Sequence, residues 1–300
     1  MATRNSEGAR GLAARHENLR IHFGDSGVSR ERLRYVRGVT ARYRQELIRR
    51  FLTRHATRVD GSCLEVGPGP GRFSRLLIEQ YPSLCFLDLS RPMLMACRRG
   101  LPRLGLGGSR NFIEGSLEAM PLRDRSFDRI VALGVLPFVA REFPRTLRGL
   151  ARLLKPRGKL IFEIQSPSQT TMTVLSPNPA GARTILRCPK EFHLWSLVRR
   201  GYQPHDPKHW GRFEVIWRRP AELKKDVAAS GLRIVDVMAI APNFGNQPEF
   251  LRSIRRDSAA FATALELEEE TGRWPELLGA GARTLVAAVL VHRRIRRQKT

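Results

Sequence analysis

The chain has 300 residues, 42% of them hydrophobic, and 53 basic against 28 acidic side chains give a formal net charge of +25. That is length for one large domain or two small ones, with apolar material for a substantial core. Four cysteines (63, 85, 97 and 188) without a C-x-x-C pair support neither a zinc site nor a disulfide framework, and the longest apolar run, residues 130–140, is too short to span a bilayer.

Residues 1–30 are polar and rich in glycine and arginine, and are expected to be a basic, partly disordered N-terminus. An arginine-rich start can imitate a mitochondrial transit peptide, but Glu7 and Glu17 argue against one. The expected setting is therefore the cytoplasm, with the mitochondrial matrix as the alternative. From Glu31 to His55 the spacing of Val36, Tyr43, Leu47 and Phe51 predicts one helix with a single apolar stripe.

Ser62-Cys63-Leu64-Glu65-Val66 is a short apolar strand that runs into Gly67-Pro68-Gly69-Pro70-Gly71, with glycine at every second position. Glycine permits positive φ and lets a ligand approach the backbone with no Cβ in the way. Residues 72–79 have helical spacing, so the loop joins a strand to a helix at the edge of an α/β sheet where ligands bind. Cys85-Phe86-Leu87-Asp88-Leu89-Ser90 is a second strand ending in a carboxylate, 23 positions after Glu65. An acid there is placed to bind both hydroxyls of a ribose. Ser90 reads as the cap of the next helix, with Pro92 in its first turn. Residues 111–122, 126–136 and 150–162 supply further strand, turn and helix signals. This alternation over 62–165 predicts a parallel sheet with helices on both faces.

After Glu163 the pattern breaks. Seven prolines lie between residues 166 and 220, interleaved with aromatics and histidines, and a long interruption at the ligand edge reads as a lid or substrate surface. Regular structure is expected again as a helix over 221–230, a strand over 232–240, a helix over 248–272 and a last strand over 284–291, ahead of the basic tail 294–300.

The glycine loop is neither the dinucleotide G-x-G-x-x-G nor a phosphate-binding loop ending in Gly-Lys-Ser/Thr. It resembles the E/D-x-G-x-G-x-G signature of the class I S-adenosylmethionine-dependent methyltransferases, and the blocks at 85–97, 111–122, 126–136 and 150–162 resemble that family's segments in the same order. The resemblance is close over residues 60–165 and loose over 220–293. It implies a Rossmann-like, doubly wound, mostly parallel seven-stranded sheet whose last strand is antiparallel between its neighbours. To this would be added an N-terminal helical segment and a lid-like insertion after strand 5, in one methyltransferase domain over 31–293. The implied cofactor is S-adenosylmethionine, leaving as S-adenosylhomocysteine, with no metal.

By the same resemblance Glu65 orders the loop and accepts from the methionine amino group. Gly67, Gly69 and Gly71 let the backbone approach the cofactor. Asp88 holds the ribose hydroxyls, Ser116 and Leu117 border the adenine, and Leu89 and Leu133 are further cofactor-binding positions. Two positions depart from the family. Ser116 stands where many relatives carry an aspartate, and Leu136-Pro137-Phe138-Val139 replaces a histidine-containing segment, so Phe138 is expected as a pocket wall.

For an acceptor hydroxyl, His193, His205, His209 and Glu163 are the candidate bases. Tyr35, Trp195, Tyr202, Trp210 and Trp217 are the candidate aromatic walls, with core for Tyr35 and holding the insertion together for the others as the alternative. The function implied is methyl transfer to an oxygen or nitrogen of a small molecule, such as a natural product, sugar or lipid-like intermediate. One alternative is RNA methylation. Residues 1–60 hold 14 arginines against six acids, and the tail is cationic, which would also suit an anionic surface. Yet only seven of the basic residues are lysine, an arginine bias that base composition alone can produce. A second alternative is a catalytically silent partner subunit that keeps the fold. Oligomeric state is not legible.

Overall fold

The computed structural model describes residues 2–34, 38–56, 61–101, 109–166, 190, 193–204, 214–281 and 283–291. Its centre is a seven-stranded sheet. The strands in chain order are β1 Ser62–Val66, β2 Ser83–Asp88, β3 Ser109–Glu114, β4 Phe127–Ala132 and β5 Leu154–Gln165. After the short pair β6 Tyr202–Gln203 and β7 Val215–Ile216, the sheet is completed by β8 Leu232–Ile240 and β9 Arg283–Leu290. The order across the sheet is β3-β2-β1-β4-β5-β9-β8. The first five run parallel, and β9 is antiparallel to both β5 and β8. The sheet thus has the expected topology, with the last strand of the chain inserted between its neighbours.

The central strands are nearly continuous apolar runs because both faces are covered, as a parallel sheet requires. Cys63, Phe86, Val131 and Ile161 point to one face, and Leu64, Leu87, Ile130 and Leu160 to the other. The first face is covered by α3 Val39–His55, whose Tyr43, Leu47 and Phe51 are fully buried, and by α4 Ser74–Ile78 and α5 Arg91–Gly100. Each such side chain removed from water contributes about 2 kcal/mol. The second face is covered by α6 Phe143–Leu153, which follows a 3₁₀ turn over Leu136–Glu142, and by α8 Pro220–Ala229. Between them in the chain lies α7 Leu194–Arg200, and α9 Pro248–Ile254 and α10 Ser258–Thr271 pack on the first face beside α3. Cys63 and Cys85 on the strands and Cys97 on α5 are buried free thiols.

Two helices, α1 Ala2–His22 and α2 Asp25–Arg34, precede α3. Two expected helix boundaries need correction. The expected helix over 31–55 is broken at Gly38, whose φ of 89° lies outside helical space, so α3 begins at Val39. The expected helix over 248–272 is two helices. Asp257 turns between them, and its carboxylate caps α10 by accepting from the amides of Ala259 and Ala260 at 3.0 and 2.9 Å. Of the interruption after β5, Ser166, Lys190, residues 193–204 and residues 214–220 are described, and they form α7, the β6–β7 hairpin and the start of α8. The basic tail lies outside the described residues, as does Cys188. No described helix is long and apolar enough to cross a membrane.

Candidate functional site

The carboxyl ends of β1, β2 and β4 open into one cleft of about 1110 Å³, counting the part exposed to solvent. Its floor is the loop after β1. Gly67 takes φ 62°, and a Cβ there would stand 2.8 Å from Cβ of Val135, so only glycine lets β1 and the loop after β4 approach. Gly69 takes φ 56° with open space where its Cβ would be, and it faces the cleft. The amide of Gly67 donates to the carbonyl of Leu87 at 2.8 Å, which ties the loop to β2.

Two carboxyl groups flank this loop. Glu65 is buried at the end of β1, where Oε2 accepts from the Ser74 hydroxyl at 2.6 Å. Burial raises its pKa to about 7; the Ser74 hydrogen bond pulls it back and the charge of Asp88 adds to the rise. Asp88 ends β2 and accepts from the amides of Ser90 at 2.9 Å and Gly69 at 3.3 Å. Burial raises it to about 6 against those hydrogen bonds. A site that holds two such acids close together favours a cationic or donor-rich guest, because such a guest offsets the desolvation of both.

The opposite wall comes from the loop after β3. The Ser116 hydroxyl donates to Oε2 of Glu118, and the Glu118 amide donates back to Ser116 Oγ at 3.1 Å. His16 Nε2 lies 3.1 Å from Glu118 Oε2 and 3.2 Å from Ser116 Oγ, and Arg15 forms an ion pair with the other oxygen of Glu118. A carboxylate only accepts, so this ring nitrogen carries the proton. The roof is α1 and α2. Leu19, Phe23 and Glu31 line the cleft, Ser90 Oγ donates to the Phe23 carbonyl at 2.6 Å, and the Phe23 ring meets Phe138 edge-on at 5.7 Å.

Of the residues singled out from sequence, Glu65, Gly67, Gly69, Asp88, Leu89, Ser116, Leu117, Leu133 and Phe138 all line this cleft. Gly71 does not. Its amide donates to Pro68 at 3.1 Å and it packs toward Cys97, so it shapes the loop from behind. Glu163 is also absent from the wall. It is almost fully buried behind Gly134 and paired with Arg283, which removes it from the role of a solvent-facing base.

The described residues after β5 do not wall the cleft either. His193 sits at φ 51° ahead of α7, and Trp195 is half exposed beneath the Arg199 guanidinium, 5.0 Å from the ring centre. The Tyr202 hydroxyl donates to Glu214 at 2.5 Å, and Trp217 is buried with its amide on the carbonyl of Gly201 at 2.7 Å. Tyr35, His205, His209 and Trp210 lie outside the described residues. Sequence reasoning missed the roof residues and Glu118. The one available signal was a carboxylate two positions after Ser116, in the same block.

Residues 64–162, from β1 to β5, match the model of the methyltransferase domain family. The chain carries a class I S-adenosylmethionine-dependent methyltransferase domain. Over 101 residues it is 38% identical to malonyl-[acyl-carrier protein] O-methyltransferase of Magnetococcus marinus, which is 33% of this chain and 36% of that protein. Over 110 residues it is 32% identical to the ubiquinone/menaquinone biosynthesis C-methyltransferase UbiE of Edwardsiella ictaluri, 35% of this chain and 43% of that protein. The matched stretch thus spans less than half of either relative. An S-adenosylmethionine-dependent methyltransferase structure from Mesorhizobium loti superposes with a TM-score of 0.53 at 20% identity, covering 80% of this chain and 95% of that one. One from Methanosarcina mazei gives 0.52 at 17%, covering 80% and 98%. These likenesses extend the similarity of fold beyond the matched residues, over 80% of this chain.

Proposed function

We propose that the protein is an S-adenosylmethionine-dependent methyltransferase that moves a methyl group to an oxygen or nitrogen of a small-molecule acceptor and releases S-adenosylhomocysteine. The observation that carries this reading is the pair of acids, Glu65 buried and Asp88 half-buried, on either side of a glycine whose missing Cβ leaves the cleft open. The residues present fit the cofactor. Glu65 would accept from its ammonium and Asp88 from its ribose hydroxyls, while Gly69 leaves room above the loop. Leu89 and Leu117 supply apolar faces for the base, and Leu133 and Phe138 border the end near β4. Bound, the cofactor supplies an activated methyl on a positively charged sulfur.

The chain's contribution is alignment and exclusion of water, for which well-oriented groups reach effective molarities of about 10⁵ M or more. Phe23 and Phe138, packed edge to face, shield that end of the cleft. Among the described residues that line it, no histidine lies on the β4 side, which suits an acceptor that loses its proton to water or an amine that binds neutral. The similarity to the quinone C-methyltransferases keeps carbon as a second acceptor atom. We place the reaction in the cytoplasm.

A panel of hydroxyl, carboxyl, amine and phenol acceptors with methyl-labelled cofactor tests the reading. Label transferred by the wild type and lost in Asp88→Ala is the expected result. Tight cofactor binding without transfer to any acceptor would favour the silent-subunit alternative.

A further inference from the structure

We propose that the outer face of α6 docks an acidic protein partner, one that presents carboxylates along a helix. The exposed residues of α6 are Arg145, Arg148 and Arg152, at positions i, i+3 and i+7. That spacing sets them in one row about 10 Å long on the side turned away from the sheet. The other side of the helix, with Phe143, Leu147 and Leu150, is buried against the second face of the sheet. Arg123 and Arg125, both exposed, continue the row past the end of the helix. Backbone holds them there, since the Arg125 amide donates to the carbonyl of Arg152 at 3.0 Å. At its other end α6 grows out of the 3₁₀ turn whose Phe138 and Val139 wall the cleft, so a partner on the row sits beside the cleft.

These cations are available. Arg123, Arg125 and Arg148 pair with no carboxylate among the described residues. Arg152 pairs with Asp124, and Arg145 with Glu142 at 3.6 Å. A guanidinium has five donors in a fixed fork, so one carboxylate holds its direction and leaves donors for another. The row also differs from a uniform excess of arginine. Arg125 and, in the turn beside it, Arg157 take φ 51° and 67°, left-handed conformations that favour glycine, yet arginine occupies both. Carboxylates at i, i+3 and i+7 of a facing helix repeat on the same scale as the row. Other anionic surfaces match it less well. Single-stranded nucleic acid stacks its bases on aromatic rings, and a membrane takes apolar side chains along with cations. Phe127 and Phe143, the aromatic residues of these segments, are buried, and no large apolar side chain is exposed on them.

The test is fluorescence anisotropy of the full chain with a labelled helical peptide bearing glutamates at i, i+3 and i+7, at about 0.1 M salt. The triple variant Arg145→Glu, Arg148→Glu, Arg152→Glu should weaken binding at least about tenfold. A control triple, Arg252→Glu, Arg255→Glu, Arg256→Glu, makes the same change in net charge at another exposed surface and should stay within about twofold of the wild type. Glutamine at 145, 148 and 152 removes the charges without reversing them, guards against a reversal variant that fails to fold, and should cost about three- to tenfold. A photo-cross-linker on the peptide should attach to α6 or to residues 123–125. Equal losses in the two glutamate triples, undiminished affinity in the glutamine variant, cross-links elsewhere, or no binding by the wild type would overturn the proposal. Tighter binding of a single-stranded RNA, or of phosphatidylglycerol vesicles, that is lost in the α6 triple would also overturn it and give the row to that partner instead.

Discussion

The Ser74 hydroxyl donates to Glu65 Oε2 across 2.6 Å, tying the first turn of α4 to the end of β1 inside the core. This bond is one of the forces that keep the Glu65 carboxyl from rising above about 7. Ser74→Ala removes it. We expect the Glu65 pKa to rise and affinity for S-adenosylmethionine at pH 7 to fall about three- to tenfold, with most of the loss recovered at pH 8.5. Calorimetric titration at the two pH values checks this. An equal loss at both would show that the serine matters for packing alone.

The raised carboxyls also set the sign of the pH dependence. Glu65 and Asp88 sit at about 7 and about 6 in the folded protein, above their ordinary values. Between the unfolded and folded values the native state holds more protons, so its stability without ligand falls as pH rises through roughly 4 to 7. A cationic ligand prefers the ionised acids, so its affinity moves the other way and rises by up to about tenfold per pH unit below 6 to 7. Thermal melts with and without S-adenosylmethionine at pH 5.5 and 8 should therefore show a ligand-induced shift that is larger at pH 8.

The two loop glycines should fail differently. In Gly67→Ala the new Cβ meets Val135 at 2.8 Å and φ is 62°, so strain and overlap together should cost about 2–4 kcal/mol of stability. Gly69→Ala has open space and a φ of 56°, so about 1–2 kcal/mol is expected from the backbone, with a larger effect on cofactor binding. Chemical denaturation and titration, run on both variants, separate the two effects.

Away from the cleft, Asp236 on β8 accepts from His55 Nε2 at 2.7 Å and from Arg273 Nε and Nη2 at 3.1 Å each. These partners hold its carboxyl well below the usual range against the penalty of burial. Its contribution is present above the unfolded value near 3.9 and is lost as pH falls through the folded one. Asp236→Asn should lower stability by about 2–3 kcal/mol at pH 7, with the difference from wild type shrinking below about pH 4. Urea denaturation at pH 7 and pH 3 gives the comparison.

The sheet was legible because each central strand is a short apolar run closed by glycine or an acid, and Glu65, Gly69 and Asp88 fall on those closures. The roof of the cleft was not. Residues 2–22 lack a repeating apolar stripe, and α1 is anchored through single contacts, with Arg15 and His16 on Glu118 and Phe23 on Phe138. Pairings between residues about a hundred positions apart leave no local pattern. Glu118 reads in isolation as a solvated loop acid, and only the fold shows what surrounds it. Glu163 misled in the opposite direction: a carboxylate at a strand end suggested chemistry, but its partner Arg283 comes from β9, 120 residues later.

Calorimetric titration of S-adenosylmethionine into the wild type and Asp88→Ala tests the central claim most directly. We expect saturable one-to-one binding to the wild type and affinity weakened by at least about tenfold in the variant, since two charge-assisted hydrogen bonds would be lost. No binding to the wild type, or undiminished binding to the variant, would contradict the account.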